Sequence, residues 1–218
     1  MSQIERKRQL LLNSGVQMMD PSAVWVEDSV EIGEGTLLLP GTILRGKTII
    51  GRNCEIGPNT MLVDCTVGND VTINSSQCSE SEIHDRCEVG PFAHLRPHSV
   101  LKTGSKIGAF VQLKNCNLGE GTKMAHLTYV GDSDVGDNCN FGCGTVTCNY
   151  DGRTKSRTAI GSNVFIGCQT RFIPPVSVGD GAYIAAGTTV TDPVPENSFV
   201  IGRSRQIVKT DWQDKRKK

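Results

Sequence analysis

His126 is the residue in this chain best suited to acid–base chemistry, and it stands at the foot of a column. At the same place in the following repeats are Cys143, Cys168 and Ala186. A histidine beneath a strip of small side chains puts a base at one end of a slot where a slender, extended ligand can lie. Imidazole, with an unperturbed pKa of about 6.5, accepts a proton near neutral pH. Arg96 and Lys114 form a second pair, each directly after a leucine (Leu95, Leu113) at the same point of successive repeats. Stacked that way, the two cations lie about 5 Å apart along the axis and repel each other unless an anion bridges them. Arginine forks a phosphate or carboxylate with two donors, and lysine adds a point charge. Spacing alone leaves the plain alternatives open: a structural histidine, and two surface cations screened by water.

The repeats that position these residues are six long. An aliphatic residue recurs at Ile32, Leu38, Leu44, Ile50, Ile56 and Leu62, and the beat continues to Val190. A glycine often follows it, as at Gly33, Gly51, Gly57 and Gly68, and a small residue such as Thr36, Thr42, Thr48 or Thr60 comes four positions on. Such a repeat fixes the architecture before any single residue is weighed. Three hexads make one triangular coil, and each coil buries its aliphatic residues against the next. Coils begin near Ile32, Ile50, Val67, Ile83, Leu101, Leu118, Val135, Ile160 and Val178, which predicts about nine of them in an all-β parallel solenoid. Between Val135 and Ile160 the spacing stretches, so residues within Cys148–Arg157 must leave the prism as a loop. Asp151-Gly152 marks a turn there.

Composition excludes several classes. Lys+Arg and Asp+Glu both number 23, a balance that does not suggest nucleic acid or an anionic membrane as partner. No apolar run reaches the ~20 residues that span a bilayer, and no signal sequence opens the chain, so a cytoplasmic location is expected. Nine cysteines could mean disulfides or metal. However, Cys54, Cys87 and Cys139 fall at the small hexad position and there is no Cys-x-x-Cys, so reduced structural thiols are expected. Residues 1–20 read as a linker with a short helix over Ser2–Leu12 that stops near Gly15, 21–202 as the solenoid, and 203–218 as a tail. Asp192-Pro193-Val194-Pro195 is expected to end the beat. The tail, with Trp212 and Lys215-Arg216-Lys217-Lys218, reads as a solvated end, or else as an arm over a neighbouring subunit or a phosphate-rich ligand. One prism is convex and ligand sites are concave, so a site is expected between prisms.

Three stretches carry a more specific resemblance: GPFAHLRP (Gly90 to Pro97), KMAHLTYVGD (Lys123 to Asp132) and GTVTCNYDG (Gly144 to Gly152). They closely resemble the acetyltransferase domain of the bacterial bifunctional N-acetylglucosamine-1-phosphate uridylyltransferase/glucosamine-1-phosphate acetyltransferases, members of the hexapeptide-repeat transferases. The resemblance is gapless from about Val89 to Arg203 and looser back to the first helix. It implies a left-handed β-helix, a homotrimer with sites at subunit interfaces, and acetyl transfer from acetyl-CoA to the amine of glucosamine 1-phosphate, a step toward UDP-N-acetylglucosamine. His126 matches the general base. Arg96 and Lys114 match the holders of the sugar phosphate, and Tyr129, Asn140 and Lys155 match further acceptor positions. Cys143, Asn149, Tyr150, Cys168, Ala186 and Arg203 match acetyl-CoA positions, and no metal is implied.

Two departures stand out within the match. Position 168 is often serine in the family and position 143 often alanine, so the cysteines here are expected to change acetyl-CoA affinity modestly. The family's uridylyltransferase domain is not in this chain, which is not expected to make a UDP-sugar by itself. Competing readings are an acyltransferase for another amino-sugar, a trimeric metal-dependent carbonic anhydrase using some of His84, His94, His98 and His126, and a non-catalytic trimeric solenoid module. A carbonic anhydrase needs three converging imidazoles, and the histidines occupy unrelated hexad positions.

Overall fold

The structure, a computed structural model, describes residues 2–212. Lys215, Arg216, Lys217 and Lys218 of the basic end lie outside the described residues. The hexad aliphatics point inward from three faces and stack rung on rung. The first face runs from Gln17–Met18 to Phe199–Val200 in eleven strands. The second runs from Trp25–Val26 to Thr189–Val190, and the third from Glu31–Ile32 to Val176–Val178. Two seven-residue strands, Gln112–Leu118 and Tyr129–Val135, turn the corner between the second and third faces, joining them into one 17-stranded sheet. The ladders are parallel and each strand pairs with the coils before and after it. The whole is a left-handed β-helix of about ten turns.

The extra turn lies at the ends. Gln17–Met18 already pairs with Leu37–Leu38, and Phe199–Val200 pairs with Tyr183–Ile184. The Asp192–Pro195 segment does not end the solenoid, because Val194 donates its amide to Ser177 O (2.8 Å) and accepts from Gly179 N (2.8 Å). Alternate residues of a strand face opposite neighbours, so the flanking Pro193 and Pro195 lack donors only toward the open end, where none is needed.

Leu38, Leu44, Ile56, Leu62, Leu95 and Leu113 are fully buried. Where the aliphatic beat lapses, Cys78 fills the core position between Leu62 and Leu95. The small hexad position carries a buried ladder of its own. Thr36 Oγ1 donates to Gly51 O (2.8 Å) and accepts from Cys54 N (3.1 Å), and Thr122 repeats this with Gly136 O (2.8 Å) and Cys139 N (3.1 Å). Both hydroxyls are thus satisfied out of water. Cys54, Cys87 and Cys139 sit on this ladder as small buried fillers, and burial pushes the Cys87 thiol up to about 11.

Helix α1 (Gln3–Asn13) closes the first end. A capping box opens it, with Ser2 N donating to Glu5 Oε2 (2.6 Å) and Glu5 N to Ser2 Oγ (3.2 Å). Lys7 Nζ ties the helix to the first coil at Asp28 O (2.8 Å) and Val30 O (2.7 Å), and Leu11 is buried beneath it. A polar cap of this kind shields a solenoid's open core from water.

Candidate active site

The parallel register converts the sequence positions into places. His94↔Gln112 and Leu95↔Leu113 are paired, so Arg96 lies one rung from Lys114 at the outer edge of the second face. One rung further, Lys114 pairs with Gly131. A Cβ on Gly131 would overlap the Tyr129 hydroxyl and approach Asn149 Nδ2. The glycine therefore makes room for Tyr129 to fold its hydroxyl toward the lysine's column.

The loop between Val135 and Ile160 is a tight hairpin with an antiparallel bridge from Tyr150 to Lys155. Asp151 shapes its tip by accepting from the amides of Arg153 (2.7 Å) and Thr154 (2.7 Å) and from Thr154 Oγ1 (2.9 Å). Ser156 N closes its base on Asn149 O (2.9 Å). Arg157 then clamps it to the prism, with Nε on Asp134 Oδ2 (2.5 Å), Nη2 on Asp134 Oδ1 (2.7 Å) and Nη1 on Asn115 O (3.1 Å). That two-pronged geometry is the strong form of an arginine–carboxylate pair.

The hairpin delivers Lys155 to Lys114. The Lys155 ammonium, within hydrogen-bonding reach and repelling it, pushes the Lys114 amine below the usual lysine value, with smaller contributions from burial and Arg96. Asp132 opposes this from beneath. It is nearly buried, accepting from Asn115 Nδ2 (2.6 Å) and from the Asn149 side chain. Burial alone would raise the Asp132 carboxyl, but those two hydrogen bonds and the Lys114 and Lys155 charges hold it below the usual carboxylate range. The cluster thus brings three cations together beside one carboxylate.

Asp132 and Arg157 are site residues that the hexad spacing does not mark directly. The signal for Asp132 was its column, since Asn115 stands one rung before it at the same corner, both with positive φ (48°). Arg157 had no periodic signal, because its partner Asp134 lies across the hairpin base.

The His126 column lies at the corner between the first and second faces. His126 pairs with Ala109, and the Lys123↔Asn140, Asn140↔Phe165 and Phe165↔Tyr183 registers carry it on to Cys143, Cys168 and Ala186. His126, Cys168 and Ala186 are exposed and Cys143 is half-buried. Arg203 stands at the top, its Nε donating to Ala186 O (2.8 Å). Within one chain, Asn149 joins the cation cluster, Tyr150 is exposed on the hairpin with its hydroxyl donating to Gly152 O (2.7 Å), and Asn140 lies on the first face. Asn140 lines a shallow cavity of about 290 Å³ with Lys106, Lys123 and Ala125. His84, His94 and His98 lie in other columns, and no cluster of three or more metal-ligating side chains occurs among the described residues.

Asp132 and Asp134 both have depressed carboxyls in the folded chain. Their contribution is therefore present above the unfolded carboxylate pKa of about 3.9 and is lost as pH falls through the lower folded values. Acidification should release the hairpin before the solenoid opens. Amide-exchange protection at Ser156 should fall below pH ~4 while that at Leu113 persists. Parallel loss at both positions would refute this order.

The repeat and the prism define a parallel β-helix built from six-residue units. The family model "Bacterial transferase hexapeptide (six repeats)" matches residues 29–63 and 157–192. More particularly, the chain is 49% identical over 213 residues, 98% of its length, to the bifunctional protein GlmU of Thermotoga petrophila. It is also 49% identical over 205 residues to the bifunctional protein GlmU of Caldanaerobacter subterraneus. It spans about half the length of these curated relatives, 48% and 45%. Among solved structures, Arabidopsis UDP-N-acetylglucosamine acyltransferase superposes with a TM-score of 0.52 at 15% identity, over 87% of this chain and 66% of that one, a likeness of fold alone.

Proposed function

We propose that this chain transfers acetyl from acetyl-CoA to the amine of glucosamine 1-phosphate, giving N-acetylglucosamine 1-phosphate for UDP-N-acetylglucosamine synthesis in the cytoplasm. The observation that carries the reading is the convergence of Arg96, Lys114 and Lys155 on the face adjoining the His126 corner. Cations crowded against mutual repulsion suit a dianionic phosphate. Similarity to the bifunctional protein GlmU along nearly the whole chain supports the same reading.

In this mechanism the pantetheine arm lies along Cys143, Cys168 and Ala186, and Arg203 meets the cofactor farther out. The acceptor's phosphate rests on Arg96, Lys114 and Lys155, which presents its amine to the thioester. Nitrogen attacks the carbonyl carbon while His126 takes the amine proton. The C–S bond then breaks, and the leaving sulfur takes the proton from the imidazolium. Proton transfer by a positioned base is worth roughly 10²–10⁴ in rate.

The site is completed by other copies of the chain. His126 is exposed, no side chain of its own chain orients its imidazole by a hydrogen bond among the described residues, and Asn140 faces away from the cation cluster. A closed homotrimer of parallel prisms would bring a first face against a neighbour's second face and enclose the slot.

The test mixes the protein with acetyl-CoA and glucosamine 1-phosphate and follows free thiol, with oligomer mass measured alongside. Thiol release stoichiometric with an N-acetylated product, from a trimer, is expected. A folded trimer releasing none would rule the reading out.

A further inference from the structure

Of the nine cysteines, only Cys143 and Cys168 occupy the same column in adjacent rungs. Gly142 N donates to Ile166 O (2.7 Å) and Gln169 N to Cys143 O (2.8 Å), so the ladder holds the two residues side by side from both flanks. Parallel rungs lie about 4.8 Å apart, inside the roughly 4.4–6.8 Å Cα separation that a disulfide spans. Unlike the six buried cysteines, both have access to solvent, Cys168 being exposed and Cys143 half-buried. Cys148 is also half-buried, but its rung neighbours are Gly131 and Ile173, which offer no thiol.

We infer that Cys143 and Cys168 are a redox modification site, joined across adjacent rungs into a disulfide by an oxidant of the peroxide class. The Cys168 sulfur, as thiolate, attacks hydrogen peroxide. The O–O bond breaks, leaving a sulfenic acid and, after proton uptake, one water. The Cys143 sulfur then attacks the sulfenic sulfur, the S–O bond breaks, and a second water departs with the thiol proton. Two thiols lose two electrons in all, and peroxide gains them.

The consequence for activity rests on the acetyl-CoA reading above. The bridge would lie along the floor of the slot directly above His126, where the pantetheine arm runs. It replaces two separately rotating thiols with one fixed link, so oxidation obstructs the donor and reduction restores it.

The experiment treats the full chain with hydrogen peroxide, maps its peptides without reductant, and measures acetyl-CoA kinetics before and after dithiothreitol. A Cys143–Cys168 linked peptide two hydrogens lighter than its parts is expected. With it, KM for acetyl-CoA should rise about tenfold or more and recover on reduction. In Cys168→Ser, peroxide should leave that variant's own untreated KM unchanged. Absence of the linked peptide, or linkage without a change in KM, overturns the proposal. If untreated protein releases no thiol from acetyl-CoA, the acetyltransferase reading fails by itself, and the peptide map still decides whether the disulfide forms.

Discussion

Replacing His126 by alanine is expected to lower kcat by roughly 10²–10⁴ while leaving melting temperature and oligomer mass unchanged. The two effects separate because of where the residue sits. Its side chain is exposed and lies outside the buried core. Its backbone oxygen, which accepts from Thr128 Oγ1 (2.8 Å), survives the substitution. Exposed substitutions of this kind shift stability by only about 0.5 kcal/mol in either direction. KM for acetyl-CoA should change little, since the strip beyond the base is untouched. A variant that keeps the parent rate would remove His126 from the role of base.

Lys114→Ala should weaken use of a phosphorylated acceptor about 10–100-fold in kcat/KM, the loss appropriate to one charge-assisted contact. The same substitution should leave the melting temperature unchanged or raise it. Lys155 and Arg96 repel Lys114 more strongly than Asp132 attracts it, and deleting the middle charge relieves both. Loss of function with retained or improved stability marks a group held in place for a ligand. Kinetics with phosphorylated and unphosphorylated glucosamine, beside a thermal melt, supply both readouts. Equal losses on the two acceptors would show that Lys114 acts on something other than phosphate.

The longitudinal order of the site is legible in the sequence because a solenoid turns position within a hexad into position on a rung. Leu95 and Leu113 mark where Arg96 and Lys114 must stack, and Met124 marks the foot of the His126 column. The same rule misses what lies across a corner or off the prism. Lys155 reaches Lys114 only because Asp151 tightens the hairpin tip and Arg157 clamps its base to Asp134, contacts with no period. Asn149 and Tyr150 are neighbours in the chain, yet one is tied to Asp132 inside the cluster and the other projects from the hairpin. The final turn was obscured for a related reason. Pro193 and Pro195 break most strands, but here they fall on the solenoid's open edge. Cys78 shows the limit of an aliphatic count, since a thiol fills a core rung as well as a leucine's neighbour requires.

The combination of a base column with a phosphate cradle is tested most directly by one ratio: kcat/KM of the unmodified protein for glucosamine 1-phosphate over that for glucosamine, both with saturating acetyl-CoA and read as released thiol. If the three cations hold the phosphate while His126 serves the amine, the phosphorylated acceptor should be favoured by at least about 100-fold, as several charge-assisted hydrogen bonds imply. Equal rates for the two acceptors would contradict the assignment of Arg96, Lys114 and Lys155 to the same site as His126.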